Sequence, residues 1–306
     1  MQIPPMGTRV MIRYRLPAGS VPPLTDVIGH LVQTTPTLQV RTKRGEVVAV
    51  SVDEVVAIKA LADAPVRTSE IRNLEHAAAL AWPGVEQQWV DGWFCRFGHG
   101  CTRRANSAVP LDLSVGTDLS AIIEWYAARS VAPLVSAPDR LFRVPPQVRV
   151  DAENLVMACD IAPSAPRDGV VLASRPDDEW LGIYGRDVPV DVLSAVVDGE
   201  VVFGIVAGVA VARAAVTEAP DGTRWLGMSA LKVAPDQRRR GHARSLCTAL
   251  LAWGAQRGAT RAYTQVLADN AAAIALFESM GFRLHHRSRY MQFPSRSVPP
   301  LAALTG

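Results

Sequence analysis

Val233-Ala-Pro-Asp-Gln-Arg-Arg-Arg-Gly-His-Ala243 joins three kinds of local structure in eleven residues. An apolar run ends at Val233 and is stopped by Pro235; a basic turn follows, and a helical pattern opens at His242. The order is strand, loop, helix. A junction of this kind turns several backbone N–H groups and the positive end of a helix toward one point, which suits a phosphate or pyrophosphate. Gly241 has no side chain to hold a ligand away, and Ala243 is nearly as small. Arg238, Arg239 and Arg240 add planar forks of donors that match phosphate oxygens. The expected ligand carries two or three phosphates.

The next segment, Asn270-Ala-Ala-Ala-Ile-Ala-Leu-Phe-Glu-Ser-Met-Gly-Phe282, opens on a good helix-capping residue. It carries apolar residues at Ala273, Ile274, Phe277 and Met280 and reaches glycine where a helix should stop. Two helices therefore flank one apolar strand near residues 262–266. Arg238-x-x-Gly241-x-Ala243 after one strand, then Asn270-x-x-Ala273-x-x-Leu276-Phe277-x-x-x-Gly281-Phe282 after the next, resembles the GNAT superfamily of acyl-CoA-dependent N-acetyltransferases.

That resemblance implies an α+β fold, with a mixed, mostly antiparallel sheet flanked by helices, and acetyl-CoA as cosubstrate. Backbone groups of Leu231, Lys232 and Val233 would pair with the pantetheine amides like an added strand. Arg238, Arg239, Arg240, Gly241, His242, Ala243 and Arg244 would hold the pyrophosphate. Asn270 would meet the pantetheine arm, with Ala273 and Phe277 of the same motif among the cosubstrate contacts. The implied reaction is direct attack of a neutral primary amine on the thioester, without a covalent enzyme intermediate. The amine belongs to a small molecule or to a protein.

Many members of the family protonate the departing thiolate with a tyrosine where this chain has Phe277, which cannot donate. Tyr290 and Ser229 are the candidate catalytic substitutes, with Tyr263 beside them. A thiol of pKa ~8.5 leaves tolerably unaided, so the loss need not abolish turnover. Residues 225–233 contain no carboxylate, which leaves Glu218 or a chain of waters as the base. His242 reads as a loop residue. Of the adjacent His285 and His286, strand alternation lets only one face inward.

The 306 residues are 49% hydrophobic and 20% charged, a globular balance long enough for two or three domains. A formal net charge of +3 is too small to argue for nucleic-acid binding by itself. Four cysteines, at 95, 101, 159 and 247, make no disulfide framework in a chain this long, and no signal-peptide pattern is seen, so a cytoplasmic protein is expected. The longest apolar run, residues 201–212, is too short to cross a bilayer and reads as one buried strand, so no membrane partner is expected.

Residues 1–62 alternate short apolar segments with turns: 9–14, 27–33, 38–42, 46–50 and 55–58, with a hairpin signal at Lys43-Arg44-Gly45. Five short strands resemble a bacterial SH3-like barrel, with a peptide or protein partner, or simple stabilisation, as its expected role. Residues 67–150 read as a helix after Ser69 with Ile71, Leu74, Ala77 and Ala78 inward, strands at 89–97 and 102–109, and a helix at 119–129. This resembles the degenerate first half of tandem GNAT proteins, and Arg103-Arg104 within it reads as solvated.

Residues 151–294 form the expected catalytic domain. A short helix at 177–184 carries Trp180 and Tyr184, either core residues or a wall of the acceptor pocket. A hairpin joins strands 191–197 and 201–210, a further strand spans 225–233, and a helix spans 242–257. Residues 295–306 read as a loose tail, and prolines at 133, 138, 145, 146, 163 and 166 mark connections. Cys95-x-x-x-His99-x-Cys101 lacks an evident fourth ligand, so no metal is expected. The functional expectation is an acetyl-CoA-dependent N-acetyltransferase. Its alternatives are a catalytically weak acyl-CoA sensor or scaffold whose barrel recruits a partner, and nucleic-acid binding through the barrel.

Overall fold

In the N-terminal segment Val10, Ile12, Val27, Leu31, Leu38, Val40 and Val50 are all buried, at the alternating positions that a half-buried sheet requires. The computed structural model describes residues 3–42, 45–61, 65–144, 148–161 and 169–293. The Lys43-Arg44 turn, the prolines at 145, 146, 163 and 166, and the tail at 295–306 lie outside these residues. The chain divides into two compact units, Met1–Pro65 and Val66–Gly306.

The first unit is a five-stranded antiparallel sheet: β1 (Arg9–Arg15), β2 (Leu24–Gln33), β3 (Leu38–Thr42), β4 (Val47–Val50) and β5 (Val55–Ala60), in the order β4-β3-β2-β1-β5. All five expected strands are present, but among the described residues the sheet is open, with β4 and β5 as its edges. A three-residue 3-10 turn, Val52–Glu54, carries the chain from one edge directly to the other. With four residues, β4 supplies little edge for closing a barrel.

The second unit begins with α1 (Thr68–Ala81), followed by β6 (Glu86–Val90), β7 (Trp93–Phe97), β8 (Val109–Pro110), α2 (Ser120–Ala127) and β9 (Leu134–Pro138). It continues with β10 (Val150–Asp160), β11 (Val171–Ala173), α3 (Asp178–Tyr184), α4 (Val190–Ser194), β12 (Glu200–Val206), β13 (Ala210–Glu218) and β14 (Arg224–Val233). The last elements are α5 (His242–Gln256), β15 (Arg261–Leu267), α6 (Ala271–Ser279) and β16 (Arg283–Gln292). Strands β6, β7 and β8 form a small sheet, and the other eight form one sheet in the order β11-β12-β13-β14-β15-β10-β16-β9. In that large sheet β14 and β15 pair in parallel, and the remaining neighbours pair antiparallel.

Alternation along β14 separates two cores. Leu226 and Met228 pack with Leu246, Leu250, Phe277 and Phe282 on the α5 and α6 side. Trp225 packs with Leu74, Ala77, Ala78 and Tyr263 on the α1 side. The segment at 66–144 therefore covers one face of the large sheet through α1 and supplies its edge strand β9.

Four local expectations change. Residues 190–194 are helical instead of extended, and the run at 201–212 is a hairpin that turns at Gly208, where φ is +65°. Glycine is suited to that conformation, and continuous apolarity does not by itself distinguish one strand from two. Residues 89–97 are likewise a hairpin, β6 and β7, turning at Asp91-Gly92, both with positive φ. In place of a strand at 102–109 there is a 3-10 turn, Arg104–Asn106, before β8.

Candidate active site

Strands β14 and β15 run together through Met228 and Thr264, after which their pairing ends although both continue. A bulge accompanies the parting: Ser229 faces Arg213 and Lys232 faces Val211, so two residues of β14 stand opposite Ala212 alone. Ala230, in the bulge, has φ +53°, an uncommon conformation for a residue with a Cβ. Among the described residues no strand pairs with the β15-facing edge of β14 beyond Met228. Leu231, Lys232 and Val233 follow on β14 beyond the parting, where alternate backbone groups on that edge are left for an added strand.

At the end of β14 a 3-10 turn, Pro235–Gln237, leads through Arg238, Arg239 and Arg240, all exposed, into α5. Arg239 is left-handed at φ +62°. Gly241 is the N-cap of α5 at φ +88°, and no side chain caps the helix. A Cβ added at Gly241 would meet nothing within 4 Å, so the space before the helix is open. His242, Ala243 and Arg244 form the first turn, where N–H groups lack intrahelical partners. Open space, orphan donors and adjacent guanidinium groups give this helix start the means to accept an anion. Arg244 bonds instead to Ser279, with Nη2 2.5 Å from Oγ.

Asn270 caps α6 by accepting from the Ala273 N–H at 3.1 Å. Phe277 faces inward, 3% exposed, with its ring 5.3 Å from that of Phe282. Of the catalytic candidates, Ser229 stands where the strands part, and its buried hydroxyl has no hydrogen-bond partner among the described residues. Tyr290 is buried on β16, separated from β14 by β15 and β10. Tyr263 lies directly beside Gly227, and burial pushes its phenol above the ordinary tyrosine range, so it stays protonated at neutral pH. Glu218 pairs with Arg224 at the opposite end of β14, away from the parting.

On the α1 face of the parting lies a small cleft. Its lining includes Trp82, Arg104, Arg213, Ser229, Tyr263 and Gln265. Trp82 follows α1, and its ring lies 4.3 Å from the Arg213 guanidinium carbon and 5.4 Å from that of Arg104. Arg213 is 1% exposed; its Nε donates to Leu193 O at 2.6 Å, and its Nη2 donates to Ala195 O at 2.8 Å and Ala81 O at 2.9 Å. Burial lowers its pKa to about 9. Arg104 donates from Nε to Gln265 Oε1 at 2.9 Å, so it is not the solvated residue its sequence suggests. Trp180 and Tyr184 belong to the core beneath: the Trp180 Nε1 donates to Gly204 O, and neither residue lines the cleft.

A Cβ on Gly227 would stand 2.2 Å from the Tyr263 phenol oxygen, too close for the ring to stay in place. Gly227→Ala is expected to displace Tyr263 and cost roughly 1–3 kcal/mol, read as a lower denaturation midpoint. An unchanged midpoint would contradict the close packing.

His285 and His286 both face the α1 side. A register shift between Val156 and Met157 in the pairing with β16 breaks the alternation that would have turned one of them away. Their Nδ1 atoms are 2.8 Å apart, and His286 Nε2 is 2.7 Å from Glu75 Oε1 on α1. His99 contacts Asp191, and the Cys101 thiol contacts Gly98 O. Cys95 is buried, which pushes its thiol up to about 12. No group of three metal-binding side chains gathers among the described residues. Nor, among them, is any helix long and apolar enough to cross a membrane.

Sequence reasoning missed Trp82, Arg213, Gln265 and Glu75. A lone arginine in the apolar run of β13 was the available signal for Arg213, since such a charge needs buried partners.

The family model described as "Probable histone acetyltransferase Rv0428c C-terminal" matches residues 68–291, and "Rv0428c N-terminal Sm-like domain" matches residues 4–59. The chain is 52% identical over 297 residues to the protein named "Probable histone acetyltransferase Rv0428c" of Mycobacterium tuberculosis, covering 96% of this chain and 97% of that one. Among solved structures, a GCN5-related N-acetyltransferase from Kribbella flavida is 16% identical with a TM-score of 0.50, over 75% of this chain and 96% of the other. That likeness is one of fold.

Proposed function

Because the chain belongs to the family of the probable histone acetyltransferase Rv0428c, and is an acyltransferase of GNAT type, we propose that it moves an acetyl group from acetyl-CoA to a primary amine within a ternary complex. The observation that carries this reading is the parting of β14 from β15 beside the uncapped start of α5. The free edge at Leu231, Lys232 and Val233 fits the pantetheine amides. The loop from Arg238 to Ala243 fits the pyrophosphate, and the start of α6 at Asn270 and Ala273 fits the far side of the arm.

Acetyl-CoA supplies a thioester, whose carbonyl carbon the amine attacks. The chain's part is to orient the amine at the cleft, donate backbone N–H groups near the bulge to the developing oxyanion, and handle two protons. Ser229 and Tyr263 are the hydroxyls at the parting. Tyr263, protonated at neutral pH, is the proposed source of a proton for the departing sulfur, in place of the hydroxyl that Phe277 lacks.

The buried position of Phe277 favours one second reading, in which the domain binds acyl-CoA with little turnover while the N-terminal unit recruits a partner. Calorimetric titration with acetyl-CoA, followed by thiol release over a panel of small amines and lysine peptides, separates the two. The relative's name brings a histone lysine into that panel. Binding with amine-dependent release is the expected result. Binding with no release by any amine would favour the sensor, and no binding would overturn both.

A further inference from the structure

We propose that Thr264 is a positioning residue for acetyl transfer: its hydroxyl ties β15 to β14 at the last rung of their ladder and so fixes where the two strands part. This rests on the acetyl-transfer reading of that gap. Met228 and Thr264 are the last pair in the parallel register, and the Thr264 Oγ1 donates across it to the Met228 carbonyl oxygen at 3.3 Å.

A hydroxyl is the costly choice at this position. Ala262 and Val266, two residues before and after, both belong to the apolar core on the α5 and α6 side, with Leu226, Met228, Leu246 and Phe277. Strand alternation places Thr264 on the same face, where it is 4% exposed. Valine would fill the same branched volume with no polar atom to satisfy, and a buried hydroxyl left without a partner is destabilising. Thr264 meets that need on the neighbouring strand, at the one rung beyond which the two strands separate.

The two strands differ in what else holds them. β15 pairs with β10 along its whole length, from Arg261 opposite Asp160 to Leu267 opposite Asn154, so it is the fixed wall of the gap. Among the described residues β14 beyond Met228 pairs with β13 alone, through a register that the bulge interrupts. Ala230 is left-handed within that bulge, and the buried Ser229 hydroxyl adds no anchor, having no hydrogen-bond partner among the described residues. A bulged strand with one neighbour is the compliant wall. The Thr264 tie joins it to the fixed wall immediately before the bulge, whose N–H groups are the proposed donors to the oxyanion. Displacing such donors by about 1 Å is enough to cost roughly 100-fold in rate, so one bond at this rung can reach the chemistry without touching the reacting atoms.

The test compares Thr264→Val, which keeps the branched shape without the hydroxyl, with Thr264→Ser, which keeps the hydroxyl and loses a buried methyl. With the fastest-reacting amine of the panel of small amines and lysine peptides, Thr264→Val is expected to lower kcat by roughly 10-fold or more. Its Kd for CoA should stay within about threefold of the natural chain, since the proposed pyrophosphate contacts lie beyond the far end of β14. Thr264→Ser should bring kcat back to within about threefold of the natural value while lowering Tm through the cavity left by the methyl. A purely structural role would make kcat follow Tm in both variants. That outcome, or an unchanged kcat in Thr264→Val, would overturn the proposal.

A second measurement does not depend on turnover. Amide hydrogen exchange in residues 227–230 is expected to quicken by roughly 10-fold in Thr264→Val and not in Thr264→Ser, with the amides of α5 unchanged. If no amine is acetylated, quickened exchange supports the tie and only the transferase reading fails. Unchanged exchange overturns the tie itself.

Discussion

Arg239→Glu combined with Arg240→Glu is expected to weaken CoA binding by roughly 100-fold or more, while pantetheine, which lacks the phosphates, changes by no more than about threefold. Hydrogen bonds to charged groups contribute ~1.5–3 kcal/mol each, and 1.4 kcal/mol is tenfold in affinity, so losing two and gaining repulsion sets the scale. Both side chains are exposed and lie beside the uncapped start of α5, so neither carries the core. The fold should therefore be unchanged in the double variant. Because the site is open to solvent, the difference should shrink as salt screens it. Calorimetry with the two ligands at two ionic strengths makes the comparison, and equal losses for both would remove the phosphate assignment from this loop.

His286→Leu is expected to lower stability by roughly 3–5 kcal/mol, since it leaves the Glu75 carboxylate buried without its partner. In a unit of this size that corresponds to a fall in Tm of about 10 °C. The double change, Glu75→Leu with His286→Leu, should cost clearly less than the two single changes added together, because residues in contact are coupled. Additive losses would argue that the contact contributes nothing of its own.

The same chain of groups makes stability depend on pH. Burial first, then the neighbouring His286 and more weakly Arg261 and Arg140, lowers the His285 pKa from 6.5 to about 3. The unfolded chain takes up this proton near pH 6.5, whereas the folded chain resists it until about pH 3. The stabilising contribution is thus complete above pH 6.5 and falls as the pH drops toward 3, by up to ~1.4 kcal/mol per pH unit. Urea denaturation at pH 7.5 and pH 4.5 should show a smaller loss in His285→Phe than in the natural chain. An identical loss in the two would exclude His285 as a source of the slope.

Local chemistry alone was enough to read the strand, basic loop and helix around Gly241, and the second helix from Asn270 to Gly281. Proline, glycine, a capping side chain and a helical apolar stripe act within a few residues of one another, so their meaning survives without the rest of the fold. The five N-terminal strands were legible for the same reason, whereas the open edges of their sheet were not. Closure depends on which distant strands meet.

Tertiary structure decided the parts that need long-range pairing. It inserts β10 between β15 and β16, and it breaks the alternation at His285 and His286 with a bulge. It also gathers Trp82, Arg104, Arg213 and Gln265 from four separate segments into one cleft. Of those four only Arg213, a lone charge in an apolar strand, carries a local signal, and that signal does not say where its partners lie. A buried arginine needs distant carbonyls to hold it, and a cleft exists only where two strands part, so the acceptor side of the site is a property of packing while the phosphate side is a property of one loop.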